Sequence, residues 1–108
     1  MIDLKELQKE VMRNKLEKGF TTDVNHDFCR AYEELSEAFA KFNKDEPGVA
    51  EEFADVFIFL LGMAELLGFD MEHELVSKVK KNKSRKYRKE KSANGKDIFI
   101  RVKTDEDP

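Results

Sequence analysis

The sequence contains few of the residues that are typical of secreted, all-β or membrane proteins. Of its 108 residues one is Cys, two are Pro, five are Gly and none is Trp. A lone cysteine, Cys29, excludes an intramolecular disulfide, and the first residues lack the apolar core of a secretory signal. The longest nearly apolar stretch, residues 56–64, is about half of the roughly 20 residues that a membrane-spanning helix needs. We therefore expect a helical, cytoplasmic protein without a membrane anchor.

Charge is abundant but unevenly distributed. Apolar and charged residues each make up 40% of the chain, which is too apolar for a disordered protein, and the length predicts one domain with a small core. Residues 30–74 hold twelve acidic and three basic side chains, whereas residues 78–103 hold twelve basic and two acidic ones. An acidic centre beside a basic end suits nucleic-acid binding or a cation bound together with a polyphosphate. Net charge does not decide between the two.

Apolar periodicity predicts four helices, over residues 4–18, residues 24–43, residues 49–67 and from after Asp70 to about residue 87. Gly19 and Gly68 are suited to end the first and third helices, and Thr21, Thr22 or Asp23 to cap the second. Residues 97–102 alternate at period two and predict a short strand that pairs with a copy in another subunit, packs as a tail or stays disordered. We expect a helical domain over residues 1–88 and a tail over residues 89–108.

The third predicted helix is apolar on nearly every side. Twelve of the fifteen residues from 53 to 67 are apolar, and the only charges within this stretch are Asp55 and Glu65. A helix of this kind must be covered all round, which three other helices of one small chain can hardly achieve. We therefore predict a homodimer or a tetramer with this helix at or near the subunit contact.

Two pairs of carboxylates predict a metal site. Glu52 and Asp55 are three residues apart on the third helix, and Glu34 and Glu37 are three apart on the second. A short connection makes the two helices antiparallel neighbours, so the pairs can face each other. Four carboxylates repel one another without a cation, and all-oxygen ligation is what Mg²⁺ or Mn²⁺ prefers. A solvated acidic face is the alternative, but it does not explain a carboxylate, Asp55, among apolar residues.

Basic and amide side chains follow on one face of the fourth helix. Lys78, Asn82 and Arg85 lie at i, i+4 and i+7 and continue the apolar stripe of that helix. Lys and Arg at such positions would bind phosphate oxygens. The alternative is a solvated basic turn that complements the helix dipole.

These motifs, in this order, resemble the MazG-like branch of the all-α nucleoside triphosphate pyrophosphohydrolases over roughly residues 4–88. The resemblance implies a four-helix bundle completed by homo-oligomerisation, and a Mg²⁺-dependent hydrolase that splits a nucleoside triphosphate between the α and β phosphates into the monophosphate and pyrophosphate. It implies metal binding by Glu34, Glu37, Glu52 and Asp55. It also implies phosphate binding by Lys78 and Arg85 and placement of the sugar or phosphate by Asn82.

The sequence indicates less clearly which residue is the proton acceptor and which residues recognise the nucleobase. We favour Glu34 or Glu37 as the residue that takes a proton from the attacking water. Phe20 and His26, between the first two helices, are candidates for contacting the nucleobase, although each is more often a packing or surface residue. The alternative function is a non-catalytic helical dimer that binds nucleotide or nucleic acid through the basic segment. Nucleic acid is the less favoured partner because such binding leaves Asp55 unexplained.

Overall fold

A computed structural model describes residues 1–103, which form four helices and two short strands. The helices are α1 (Leu4–Glu17), α2 (Val24–Asn43), α3 (Val49–Leu67) and α4 (Met71–Ser84), and the strands are β1 (Lys86–Lys91) and β2 (Asp97–Val102). The predicted four-helix, mainly α fold is confirmed. The chain forms two compact units, residues 1–72 and the part from His73 onward. No helix within residues 1–103 has the length and apolar character needed to cross a membrane.

Local signals set the ends of α2 and α3, whose observed bounds coincide with the predicted ones. The carboxylate of Asp23 caps α2 by accepting a hydrogen bond of 2.9 Å from the Asn25 backbone N–H. At the end of α3, Gly68 adopts a left-handed φ of +75°, and the Phe69 N–H donates to the Ala64 carbonyl at 2.8 Å. This Schellman ending satisfies carbonyls that would otherwise lack a partner.

In the first unit, α3 packs against both α1 and α2. The helices α1 and α3 approach closely at Gly62, where an added Cβ would lie 3.5 Å from a methyl group of Val11. The buried apolar side chains are few: Ala38, Leu61, Met63 and Ala64. The core of one chain is therefore small, as its length predicts.

Much of the apolar surface of α2 and α3 is exposed in the single chain. Phe39 and Phe42 are 65% and 70% exposed, and Phe53 is 49% exposed. Together with three further side chains they line a groove of about 370 Å³, whose members are Leu35, Ala38, Phe39, Phe42, Val49 and Phe53. We call these six residues the aromatic groove. A second subunit that covers the groove stays a prediction.

The second unit ends in a β-hairpin. The helix α4 ends at Ser84, three residues before the predicted limit, because β1 begins at Lys86 and pairs antiparallel with β2 from Lys86↔Val102 to Lys91↔Asp97. The predicted strand over residues 97–102 therefore pairs within its own chain. Its partner starts before residue 89, the predicted start of the tail. Residues 105–108, predicted to be loose, lie outside the described residues.

Candidate metal and nucleotide site

Three of the four predicted metal ligands lie together between α2 and α3. One carboxylate oxygen from each of Glu34, Glu37 and Glu52 lies within 4.8 Å of the other two. Glu34 and Glu37 share a face of α2 because they are three residues apart, and the short α2–α3 connection brings the first turn of α3, with Glu52, back to that face. We call these three residues the acidic cluster.

The acidic cluster is more enclosed than Asp55. Glu34 and Glu52 are only 7% and 8% exposed, whereas Glu37 is exposed and Asp55 is half-buried. Asp55 is outside the group of close oxygens, but its charge acts on Glu34. The sequence predicted that Asp55 is the carboxylate that most needs a positive partner. In the structure Glu34 and Glu52 are more deeply buried than Asp55, and Phe53 and Phe57, which flank Asp55 in the sequence, are exposed in the single chain.

The proximity of these carboxylates changes their proton affinities. A hydrogen bond to Glu52, burial and the charge of Glu37 raise the pKa of Glu34 to about 7. The pKa of Glu52 is lowered, first by its hydrogen bond from Lys41 and then by the one from Glu34. In the metal-free protein a proton on Glu34 therefore relieves the repulsion within the cluster.

Lys41, which the sequence analysis missed, supplies a cation to the acidic cluster. Its ammonium nitrogen lies 2.7 Å from Glu52 Oε1. The side chain passes close to the α2–α3 turn, where a Cβ at Gly48 would lie 3.2 Å from Lys41 Nζ. Lys41 is four residues after Glu37 and seven after Glu34, so helical spacing alone could have placed it on the acidic face.

Arg30, one turn before Glu34, is a second cation that the sequence analysis missed. Its guanidinium donates to Glu34 Oε1 at 3.1 Å and also pairs with Glu33. The guanidinium carbon lies 5.8 Å from the centre of the Phe59 ring, within the range of a cation–π contact. Arg30 therefore links the acidic cluster to the aromatic part of α3.

The donor set of the cluster suits a hard divalent cation. Glu52 Oε2 is buried and, apart from a proton held by Glu34, has no hydrogen-bond donor in the part of the chain that the structure describes. A buried carboxylate oxygen without a donor is costly, and a metal ion satisfies it. The three carboxylates provide oxygen ligands only, which is the preference of Mg²⁺ and Mn²⁺. These residues therefore fit the predicted kind of ion.

The predicted phosphate-binding residues lie in the second unit. Arg85 Nη1 donates to Asn82 Oδ1 at 2.8 Å. The charge of Arg85 is the main cause that lowers the pKa of Lys78, and Lys81 and Arg101 add to it. The three residues are thus neighbours in a strongly basic region, where an anion would relieve the repulsion between cations.

The chain matches known proteins in its sequence and in its fold. The model of the MazG-like family matches residues 24–98. The structure is similar to that of the cyanophage S-2L MazG-like pyrophosphohydrolase bound to dGDP and three catalytic Mn²⁺ ions per active site. That match has a TM-score of 0.66 and 25% sequence identity, and it covers 93% of this chain and 99% of the other. No curated protein matches the chain.

Proposed function

Because this chain belongs to the MazG-like family, we propose that it is a divalent-metal-dependent nucleoside triphosphate pyrophosphohydrolase. It would cleave a ribo- or deoxynucleoside triphosphate between the α and β phosphates, giving the monophosphate and pyrophosphate. Removal of unwanted nucleotides from the cytoplasmic pool is the role that such a reaction suits. The similar cyanophage enzyme, with its bound dGDP and Mn²⁺, supports both the nucleotide and the metal.

The observation that carries this proposal is the buried Oε2 of Glu52, which has no donor within residues 1–103 other than a proton on Glu34. It lies beside Glu34 and Glu37 in a cluster whose repulsion a proton, Lys41 and Arg30 relieve only in part. A purely structural acidic patch would instead be solvated or fully paired. We assign metal binding to Glu34, Glu37, Glu52 and Asp55, with Asp55 completing the set from the next turn of α3.

A bound Mg²⁺ or Mn²⁺ would neutralise negative charge on phosphate oxygens and lower the pKa of an attacking water. The chain itself would contribute proton transfer, since Glu34 or Glu37 would accept the proton that the water loses on attack. The water oxygen would form a bond to the α-phosphorus, and the bond between that phosphorus and the oxygen that bridges it to the β-phosphorus would break, with pyrophosphate as the leaving group. We propose Mg²⁺ as the physiological ion and Mn²⁺ as a competent substitute.

Binding of the substrate would also involve the basic part of the chain. We assign phosphate contacts to Lys78 and Arg85, and contact with the sugar or phosphate to Asn82. Their mutual proximity supports this assignment, since a cluster of like charges is favourable once an anion is bound.

We also propose that the active form is a homodimer or a tetramer. The aromatic groove exposes several large apolar side chains, and each would gain roughly 1.5 to 3 kcal/mol from full burial. A second copy of the chain would cover this surface. We therefore expect an oligomer, because one chain leaves much of its apolar surface exposed.

Product analysis tests the proposed reaction. Purified protein is incubated with Mg²⁺ or Mn²⁺ and a panel of ribo- and deoxynucleoside triphosphates, and pyrophosphate is separated from orthophosphate. We expect monophosphate and pyrophosphate with the native chain and loss of both with Glu52→Gln or Asp55→Asn. Glu51→Gln is the matched control, because Glu51 is the exposed neighbour of Glu52 and lies outside the acidic cluster.

Two outcomes contradict the proposal. Release of orthophosphate indicates cleavage at another bond. No hydrolysis by a folded protein that binds Mg²⁺ favours the non-catalytic alternative, in which the basic segment binds nucleotide or nucleic acid. In that case affinity should survive the loss of all four carboxylates and fall steeply with salt.

A further inference from the structure

A second polar centre lies in the first unit, outside the acidic cluster. Asp27 is only 1% exposed, and its carboxylate pairs with Lys15 Nζ, which lies 3.0 Å from Oδ1 and 2.9 Å from Oδ2. The ammonium of Lys15 donates a hydrogen bond to Oδ1, whereas Oδ2 is buried and, although it is also close to this ammonium, has no aligned hydrogen-bond donor within residues 1–103. A buried ion pair contributes little net stability, so stability alone is a weak reason for this arrangement.

The Lys15–Asp27 pair lies in a cavity with a mainly apolar surface. The other polar residues that line it are Glu10, Asn14, Thr21, His26 and Arg30. Two adjoining cavities, of about 320 and 270 Å³, share Lys15, Asp27 and two rings, Phe20 and Phe59. Ile58 adds to the apolar wall of the larger one. Small-ligand sites typically have apolar and aromatic walls, a few convergent polar groups and a volume of roughly 300 to 1,000 Å³. The two cavities lie near the lower end of that range. They suit a flat ring with polar atoms on one edge.

Arg30 connects the cavity with the acidic cluster along α2. Asp27, Arg30 and Glu34 are spaced by three and four residues and so share one face of the helix. Arg30 lines the smaller cavity and at the same time donates to Glu34. A ligand that fills the cavity would therefore extend toward the acidic cluster past the Arg30 guanidinium.

We propose that this cavity binds the nucleobase of the substrate and that Asp27 and Lys15 determine base preference. This inference rests on the proposed pyrophosphohydrolase function. A ring N–H of the base would donate to Asp27 Oδ2, and Lys15 would donate to the neighbouring acceptor of the base. Phe20, which is half-exposed, and Phe59 would contact the faces of the ring.

The carboxylate also predicts which bases are preferred. Asp27 accepts hydrogen bonds and donates none while it is ionised, so it favours a ring nitrogen that carries hydrogen over one with a lone pair. Guanine, hypoxanthine, uracil and thymine carry such an N–H beside a carbonyl oxygen, whereas adenine and cytosine present a lone pair at the corresponding ring nitrogen. Nucleotides of the first group are therefore the expected substrates.

Steady-state kinetics with a base panel tests this assignment. For Asp27→Asn we expect KM for the preferred triphosphate to rise about tenfold or more, since a hydrogen bond to a charged group is lost, and the preference over adenine and cytosine nucleotides to shrink. Phe20→Ala, which removes a half-exposed ring without disturbing the ion pair, should also raise KM. Asp45→Asn is the matched control because it lies in the turn at the other end of α2. Thermal melts establish that each variant is folded.

Binding of nucleoside monophosphates in the presence of EDTA separates this inference from the proposed reaction. The inference predicts weak binding without metal that selects among bases and is reduced in Asp27→Asn and Phe20→Ala. If this binding is found but no triphosphate is hydrolysed, the cavity assignment stands and the proposed function fails. If hydrolysis is normal but neither variant changes KM or base preference, the cavity assignment is overturned and the proposed function stands.

Discussion

On α2, Asp27 and Glu34 are almost completely buried, whereas Phe39 and Phe42 of the same helix are about two-thirds exposed. A monomeric protein normally shows the reverse distribution. Buried carboxylates need a cation, and exposed aromatic rings need a covering surface. The difference between the two faces of α2 supports two of the proposals above, an ion bound at the acidic cluster and a second subunit on the aromatic groove.

The largest expected effect on activity comes from a substitution in the acidic cluster. Glu52→Gln keeps the shape of the side chain but removes the charge, and we expect metal-dependent hydrolysis to fall at least about a hundredfold. Titration with Mn²⁺ should show weaker binding in the same variant. Normal metal affinity in Glu52→Gln would show that Glu52 does not bind the metal ion.

A charge introduced on the aromatic side should separate the subunits. Phe39→Asp would be nearly neutral in a monomer, because Phe39 is 65% exposed in the single chain. In an oligomer that covers the aromatic groove it would place an unpaired charge in an apolar contact. We expect sedimentation analysis to show a shift to monomer. Leu16→Asp, on the exposed part of α1, is the control that should leave the assembly unchanged.

The pH dependence of stability, measured in EDTA, tests the acidic cluster without a bound ion. The pKa of Glu34 is about 7 in the folded chain against an ordinary value of 4.5, so the folded state keeps a proton that the unfolded state releases. The free energy of unfolding in EDTA should therefore decrease as the pH rises through this window. Added Mg²⁺ should raise Tm more above the window than below it.

Glu34→Gln serves as the control for this titration, because it removes the group while keeping its size. The lowered pKa of Glu52 contributes stability that is lost only at more acidic pH, outside the window. Thermal melts from about pH 5 to about pH 8 should thus show a flatter profile for Glu34→Gln than for the native chain. Equal profiles would contradict the predicted proton on Glu34.

The smallest effect is expected from Lys41. Lys41→Met removes the ammonium group that pairs with Glu52, so the metal-free protein should melt slightly earlier and gain more in Tm from Mn²⁺ than the native chain does. Lys41→Arg should restore the native behaviour in part. If the gain from Mn²⁺ is the same in all three proteins, Lys41 does not compensate for the missing ion.

Most of the helical architecture was predictable because its signals are local. The caps and glycines at Asp23 and Gly68 define helix ends within a few residues of chain, and the bounds of α2 and α3 agreed with prediction. The end of α4 did not, because residues 85–87 are compatible with helix or strand and pairing with β2 decides between them. Such pairing joins residues too distant in sequence for periodicity to reveal.

For the candidate site, the sequence predicted the carboxylates but not the cationic side chains that pair with them. The spacing of Glu34 and Glu37, and the position of Glu52 after a short turn, indicated that they meet. The roles of Lys41 and the Lys15–Asp27 pair were not evident, because each depends on a rotamer that reaches across a helix interface. Arg30 contacts Glu34 within α2, and only its rotamer decides whether it does so. A charged residue on a helix has the same sequence signature whether it points to solvent or to a buried partner.

The sequence by itself determined the number of helices, the faces of α2 and the acidic composition of the cluster, because helical periodicity and capping act over a few residues. Only the tertiary structure decided which carboxylates are buried, which oxygen of Glu52 lacks a donor and which aromatic rings stay exposed. Those properties depend on how α1, α2 and α3 pack in space, and burial sets the energetic cost of a charge.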